Sequence, residues 1–129
     1  GFSVRVGFRR PLVAATSGLV LYAFQPEPTR AEWKARLSPA VSRVAWKDFE
    51  ARAQAVRSRG FARVPSDVSK GVVDISAPVM HLGQVVAALT CPHLETREAL
   101  TVDETAVALK LAARQLSDVL SGIYETSQR

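Results

Sequence analysis

The chain has 129 residues, 47% of them hydrophobic and 22% charged, which is room for one domain with its own core and excludes wholesale disorder. No apolar run reaches the roughly 20 residues of a membrane-spanning helix, and a single cysteine, Cys91, with two histidines, His81 and His93, excludes a disulfide framework and a cysteine-rich zinc site and fits a reducing cytoplasm. The net charge of +5 gathers at Arg5, Arg9 and Arg10 and again at Arg52, Arg57, Arg59 and Arg63, without interleaved aromatic pairs, so these groups read as solvated faces rather than a nucleic-acid stripe.

In chain order, Ser3 to Phe8 alternates polar residues with Val4, Val6 and Phe8, the period of a strand. A chain that opens directly in a strand is expected to be a piece of something longer. Ala14 to Phe24 carries Leu19, Val20, Ala23 and Phe24 at helical spacing, and Gln25-Pro26-Glu27-Pro28 stops that helix. Thr29, with Glu32 three residues on, is placed to cap a short helix whose Trp33 and Leu37 share a face. A longer helix runs from about Val44 to Arg59, with Phe49, Ala53 and Val56 on one side and Gly60 at the left-handed C-terminal position.

Phe61 to Val64 follows as a short strand and Pro65 to Gly71 as a turn-rich loop. Val72 to Val79 and Val85 to Cys91 read as a hairpin turning around Gly83. The last helix spans roughly Val102 to Tyr124, opened by a Thr101–Glu104 capping box and striped by Ala106, Leu109, Ala113, Leu116, Leu120 and Ile123. This order of elements makes an α+β domain, residues 1–129, with a mainly antiparallel sheet and flanking helices.

Little in the chain promises catalysis. Cys91-Pro92-His93 places a thiol near an imidazole, but the favoured reading of Cys91 is a small residue filling a strand end. His81 belongs to the exposed hairpin tip. No phosphate-cradling glycine loop, carboxylate pair or metal-ligand spacing appears, so neither an enzyme, a metal site nor a cofactor is expected. The hairpin is more informative. Val73, Ile75, Ala77 and Val79 line one face of the first strand, and Asp74 and Ser76 the other. On the second strand Ala87 and Leu89 alternate with Ala88 and Thr90. The apolar face suits the terminal helix. The small, polar face suits either a ligand cavity or solvent.

The stretch GVVDISAPVMHLGQVVAALT (Gly71–Thr90) and RPLVAATSGLVLYAF (Arg10–Phe24), with TRAEW at Thr29–Trp33 and RSRGFARV at Arg57–Val64, resembles the C-terminal effector-binding domain of IclR-family transcriptional regulators. The resemblance covers nearly the whole chain and ends in the closing helix after Leu100. It implies a GAF-like (profilin-like) fold, a small-molecule effector, a homodimer or homotetramer, and DNA contact only through another domain. The family's winged helix-turn-helix, linker helix and opening strands are absent from this chain, which is expected to be a fragment of a longer regulator.

Carried onto this sequence, the family's ligand contacts fall on Thr16 and Ser17 before Gly18, on Asp74, and on Thr90 and Pro92 of the next strand. Leu19 stands where the family often has lysine, Pro92 where it often has a hydroxyl, and Asp67 is the nearest acid after the glycine-aromatic turn. With Asp74 inside, such a pocket is expected to prefer a neutral, aromatic or cationic effector over a small organic acid. The competing expectation is a ligand-free oligomerisation module, in which apolar side chains fill the cavity.

Overall fold

The structure, a computed structural model, describes residues 5–67 and 69–122. The long α-helix Arg43–Arg59 forms because Trp46, Phe49, Ala53 and Val56 recur on one side and are buried there. Ser42 caps its start, its Oγ accepting from the Ala45 N–H at 3.1 Å, and Gly60 ends it at φ +91°, the left-handed backbone glycine accepts without strain. Three further α-helices are α1 (Thr16–Ala23), α2 (Glu27–Leu37) and α4 (Val102–Leu120), the long helix being α3.

Three strands, β1 (Ala62–Pro65), β2 (Val72–His81) and β3 (Gln84–Leu94), form one antiparallel sheet in the order β1-β2-β3. Leu82 and Gly83 make the two-residue turn, both at positive φ (+50° and +77°), as a tight hairpin requires. The register opposes Val64 and Pro92 to Asp74, and Ala62 and Thr90 to Ser76. Residues of even number in β2 up to Pro78 therefore face one side, and their odd-numbered neighbours the other.

Each side has its own core. On the odd-numbered side Ile75, Ala77 and Val79 pack against Val102, Ala106, Leu109 and Ala113 of α4. On the other, α1 crosses all three strands and packs against α3, burying Leu19, Val20, Tyr22 and Ala23 with Trp46, Phe49, Ala53 and Ala62. Trp33 and Leu37 of α2 close over this cluster. Tyr22 is the link between helices: its ring meets Trp46 edge-on at 5.7 Å and Phe49 at 5.1 Å. Its hydroxyl donates to the Glu50 carboxylate, which also accepts from Trp46 Nε1–H at 3.2 Å. Burial first, then Glu50, holds the Tyr22 phenol far above its ordinary range, so it remains a donor.

The helices, the hairpin and its two faces agree with the sequence expectation, and three details differ. Residues 5–8 form a turn rather than a strand: the Phe8 N–H donates to the Arg5 carbonyl at 3.0 Å and Gly7 has φ +90°. The alternation of Val6 and Phe8 is not burial periodicity, since both are exposed; Ser3 and Val4 lie outside the described residues. Thr29 sits inside α2, which starts two residues earlier because Pro28 near its start needs no N–H partner. The stripe of α4 is buried only as far as Ala113; beyond it the helix meets the end of β2 through Ser117, whose Oγ accepts from the Met80 N–H at 2.8 Å, and leaves Leu116 and Leu120 exposed. Ile123 and Tyr124 lie outside the described residues. The Thr101–Glu104 cap is present, Thr101 Oγ1 accepting from the Glu104 N–H at 3.2 Å.

Tyr22→Phe should cost about 1 kcal/mol, the net worth of the lost hydrogen bond, because Trp46 still satisfies Glu50. Tyr22→Ala should cost about 3–5 kcal/mol through the cavity left among three aromatic rings. Urea unfolding followed by tryptophan fluorescence measures both.

Candidate functional site

Ahead of α1 the chain makes a 3-10 turn, Leu12–Ala14, that folds back onto the helix. Gly18 permits this. A Cβ there would overlap the Leu12 carbonyl oxygen and lie 2.8 Å from its carbon and 3.0 Å from its Cα, so only a residue without a side chain allows the two backbones to meet. The close approach pins the segment Arg5–Pro11 beside the start of α1. The N-cap residue, Ala15, offers no side-chain acceptor, so the first amides of α1 have no side-chain cap.

Segment, helix start and the even-numbered side of the sheet enclose a cleft of about 1070 Å³. Arg5, Phe8, Arg9, Arg10 and Leu12 form one wall, Ala15, Thr16, Ser17, Gly18 and Leu21 a second, and Asp74, Thr90 and Pro92 the sheet side, with Ser66 at the corner. All five residues singled out from the sequence, Thr16, Ser17, Asp74, Thr90 and Pro92, thus border one space. On the sheet face beneath, Ser76 is wholly buried under α1, Asp74 is half-buried, and Thr90 and Pro92 are exposed. The Ser76 and Thr90 hydroxyl oxygens are hydrogen-bonded at 2.9 Å, which fixes the Thr90 side chain. Pro92 lies on the edge strand, where a missing N–H is tolerated.

Asp74 is half-buried, and burial raises its pKa, with the neighbouring Asp67 carboxylate adding to the rise. Arg10 and a hydrogen bond with the Ser66 side chain oppose the shift without cancelling it. Arg10 also pairs with Asp67, Nη2 to Oδ2 at 3.0 Å. Ser66 is positioned by its own loop, its Oγ accepting from the Ser69 N–H at 3.2 Å. Three arginines and one aspartate therefore line the same cleft.

Reasoning from sequence missed that residues 5–10 border the cleft, because they read as a strand; Arg5, Arg9 and Arg10 are all exposed, as a solvated basic group should be. The available signal was Gly18 itself, a helical glycine whose partner was not legible. Cys91 and His93 lie across the sheet from the cleft. Cys91 packs against the α4 cluster, and His93 is buried with Nδ1 3.0 Å from Thr105 Oγ1. Among the described residues no three His, Cys, Asp or Glu side chains converge as a metal site would require, and no helix is long and apolar enough to cross a membrane.

The family model described as bacterial transcriptional regulator IclR C-terminal matches residues 2–118. A putative transcriptional regulator from Rhodococcus sp. RHA1 is similar in structure, with TM-score 0.75 and 22% identity over 95% of this chain and 53% of that one. The Agobacterium tumefaciens repressor BlcR matches with TM-score 0.73 and 17% identity, over 92% of this chain and 51% of the repressor. An IclR homologue from Microbacterium hydrocarbonoxydans complexed with 4-hydroxybenzoate matches with TM-score 0.70 and 23% identity, over 93% and 50%. The chain thus spans about half the length of these regulators. No curated protein matches it in sequence.

Two substitutions test the cleft's construction. Gly18→Ala should destabilise the fold by about 1–3 kcal/mol, the usual penalty of overpacking, and loosen the Arg5–Pro11 segment; thermal melts with amide exchange of residues 8–12 report both. Asp74 has a raised pKa in the folded state, so its stabilising share is complete below the unfolded carboxylate value of about 3.9 and is lost as pH rises through the folded value. Asp74→Asn should therefore raise the melting temperature at about pH 7, and the gain should vanish near pH 3. An equal gain at both pH values would show that charge is not the cause.

Proposed function

Since the chain belongs to the IclR C-terminal family of bacterial transcriptional regulators, we propose that it is the small-molecule-sensing and oligomerisation domain of an IclR-type regulator. In this reading it works in the cytoplasm and acts on DNA only through a winged helix-turn-helix carried elsewhere in the polypeptide. One observation carries it: Thr16 and Ser17 from α1, Asp74 from β2, and Thr90 and Pro92 from β3 border a single open cleft. Its volume of about 1070 Å³ is slightly above the range of roughly 300–1,000 Å³ typical of ligand pockets.

The charge in the cleft supports an acid as effector. Considered alone, Asp74 favours a neutral or cationic ligand. Arg5, Arg9 and Arg10 on the facing wall outnumber it. The similar structure that holds 4-hydroxybenzoate fits a ligand of this kind. Occupancy would act by linkage: a ligand that binds one arrangement of paired domains more tightly shifts the attached DNA-binding domains toward it.

Pairing between copies has its own support. Among the described residues β3 is an edge strand, and none of its eleven residues, Gln84–Leu94, is charged. Edges without charge invite a further strand. Val107 and Leu111 of α4 are also exposed.

Amide spectra recorded against a panel of aromatic and aliphatic acids test the sensing role. The expected outcome is saturable shifts centred on residues 16–18, 74 and 90. Sedimentation should give a dimer or larger species at micromolar concentration. Self-association with no ligand-dependent shift would instead favour the oligomerisation module alone.

A further inference from the structure

Of the groups lining the cleft, Arg10 has the most closely specified surroundings. Its side chain is 30% exposed, against 64% for its partner Asp67; the arginine lines the cleft, while Asp67 borders a neighbouring cavity of about 470 Å³ with Val13, Thr16 and Arg52. Its charge also reaches Asp74, whose pKa it lowers. One guanidinium thus serves two carboxylates that repel each other, Asp67 on the loop after β1 and Asp74 on β2. An ion pair with a mostly exposed carboxylate is weak and cheaply given up. A carboxylate arriving inside the cleft, where less water competes, can take the planar fork of an arginine through two parallel hydrogen bonds. The same wall presents Phe8 and Leu12, with Leu21 opposite, an apolar surface that has no use for a small, fully hydrated anion.

We propose that Arg10 selects the ligand by counter-ion exchange, leaving Asp67 to take the carboxylate of an amphiphilic acid whose apolar body lies on Phe8, Leu12 and Leu21. The proposal rests on the effector-binding reading and adds to it the selecting residue, the ligand's two-part chemistry and a competitor within the protein. Asp67 is that competitor: it occupies the arginine when the cleft is empty and sets a threshold that a weak anion does not pass. Because Arg10 lies on the segment pinned by the Leu12–Gly18 contact, the exchange moves its tether from the loop after β1 to the ligand. Occupancy of the cleft is thereby registered in residues 5–10.

The test uses three compounds with one body and different heads, 4-hydroxybenzoate, 4-hydroxybenzamide and 4-hydroxybenzylamine, titrated calorimetrically into the chain and into Arg10→Gln and Asp67→Asn variants. The acid should bind at least about tenfold more tightly than the amide, and the amine most weakly. Arg10→Gln should remove about ten- to a hundredfold of affinity for the acid and leave the amide within about twofold, which also shows that the variant is folded. Asp67→Asn should tighten the acid several-fold by releasing Arg10, and leave the amide unchanged. Equal binding of acid and amide, equal loss of both in Arg10→Gln, or weaker acid binding in Asp67→Asn would overturn the exchange while leaving the effector reading intact. Failure of all three compounds to bind would overturn the exchange, and the effector reading would fall only if the wider panel of acids also gave no saturable shift.

Discussion

Strand β2 has a helix on each face, and its strict alternation governs the rest of the molecule. Ile75, Ala77 and Val79 are committed to α4, which leaves Asp74 and Ser76 on the side crossed by α1. Had the register slipped by one residue, a carboxylate would lie under α4 and the branched side chains in the cleft. Both partner strands enforce the same assignment, since Ala62 and Thr90 oppose Ser76 while Val64 and Pro92 oppose Asp74. Polar groups are thus delivered to one side of a sheet whose other side is fully engaged in holding the fold together.

A covered polar face becomes a cleft only because its cover is short. Helix α1 has eight residues, and its buried residues from Gly18 onward fill the space between sheet and α3. At its start the helix has turned away from that core, and the gap is walled by residues 5–12 instead. The Leu12–Gly18 approach sets how near this wall can stand. The arrangement divides labour along a single helix: Tyr22 ties one end into an aromatic cluster and to Glu50, while Thr16 and Ser17 at the other border open space. Stability and candidate binding chemistry are separated by about one and a half turns.

The electrostatics follow from the same geometry. Asp74 is costly where it sits, because α1 and the wall exclude water from it and Asp67 lies nearby. A protein that needed only a packed sheet would place an apolar residue there. Retaining the acid beside arginines gives the cleft groups of both signs, with Arg10 divided between two carboxylates. Buried charge of this kind contributes little to folding, which is why the functional reading draws on it.

Much of this was legible in the chain. Periodicity identified α1, α3, α4 and the hairpin, turn chemistry identified Gly60 and Gly83, and the alternation in β2 and β3 placed Asp74 and Thr90 on one face and Ile75 and Leu89 on the other. These are local matters, set by backbone sterics and by hydrophobic spacing within a single element. The resemblance to a known family then named Thr16, Ser17 and Pro92 beside them. Residues 5–10 were misread for a physical reason: Val6 and Phe8 alternate as a strand would, but no strand partner comes to them among the described residues, and Gly7 turns the backbone instead. That three arginines share a cleft with Asp74 depends on Gly18 admitting the Leu12 backbone, and that Arg10 reaches Asp67 depends on the loop after β1. Both contacts join segments that no spacing rule connects. Sequence alone determined which face each side chain would take; only tertiary packing decided what stands opposite it, because a wall built from a distant turn leaves no periodic trace in the residues it confronts.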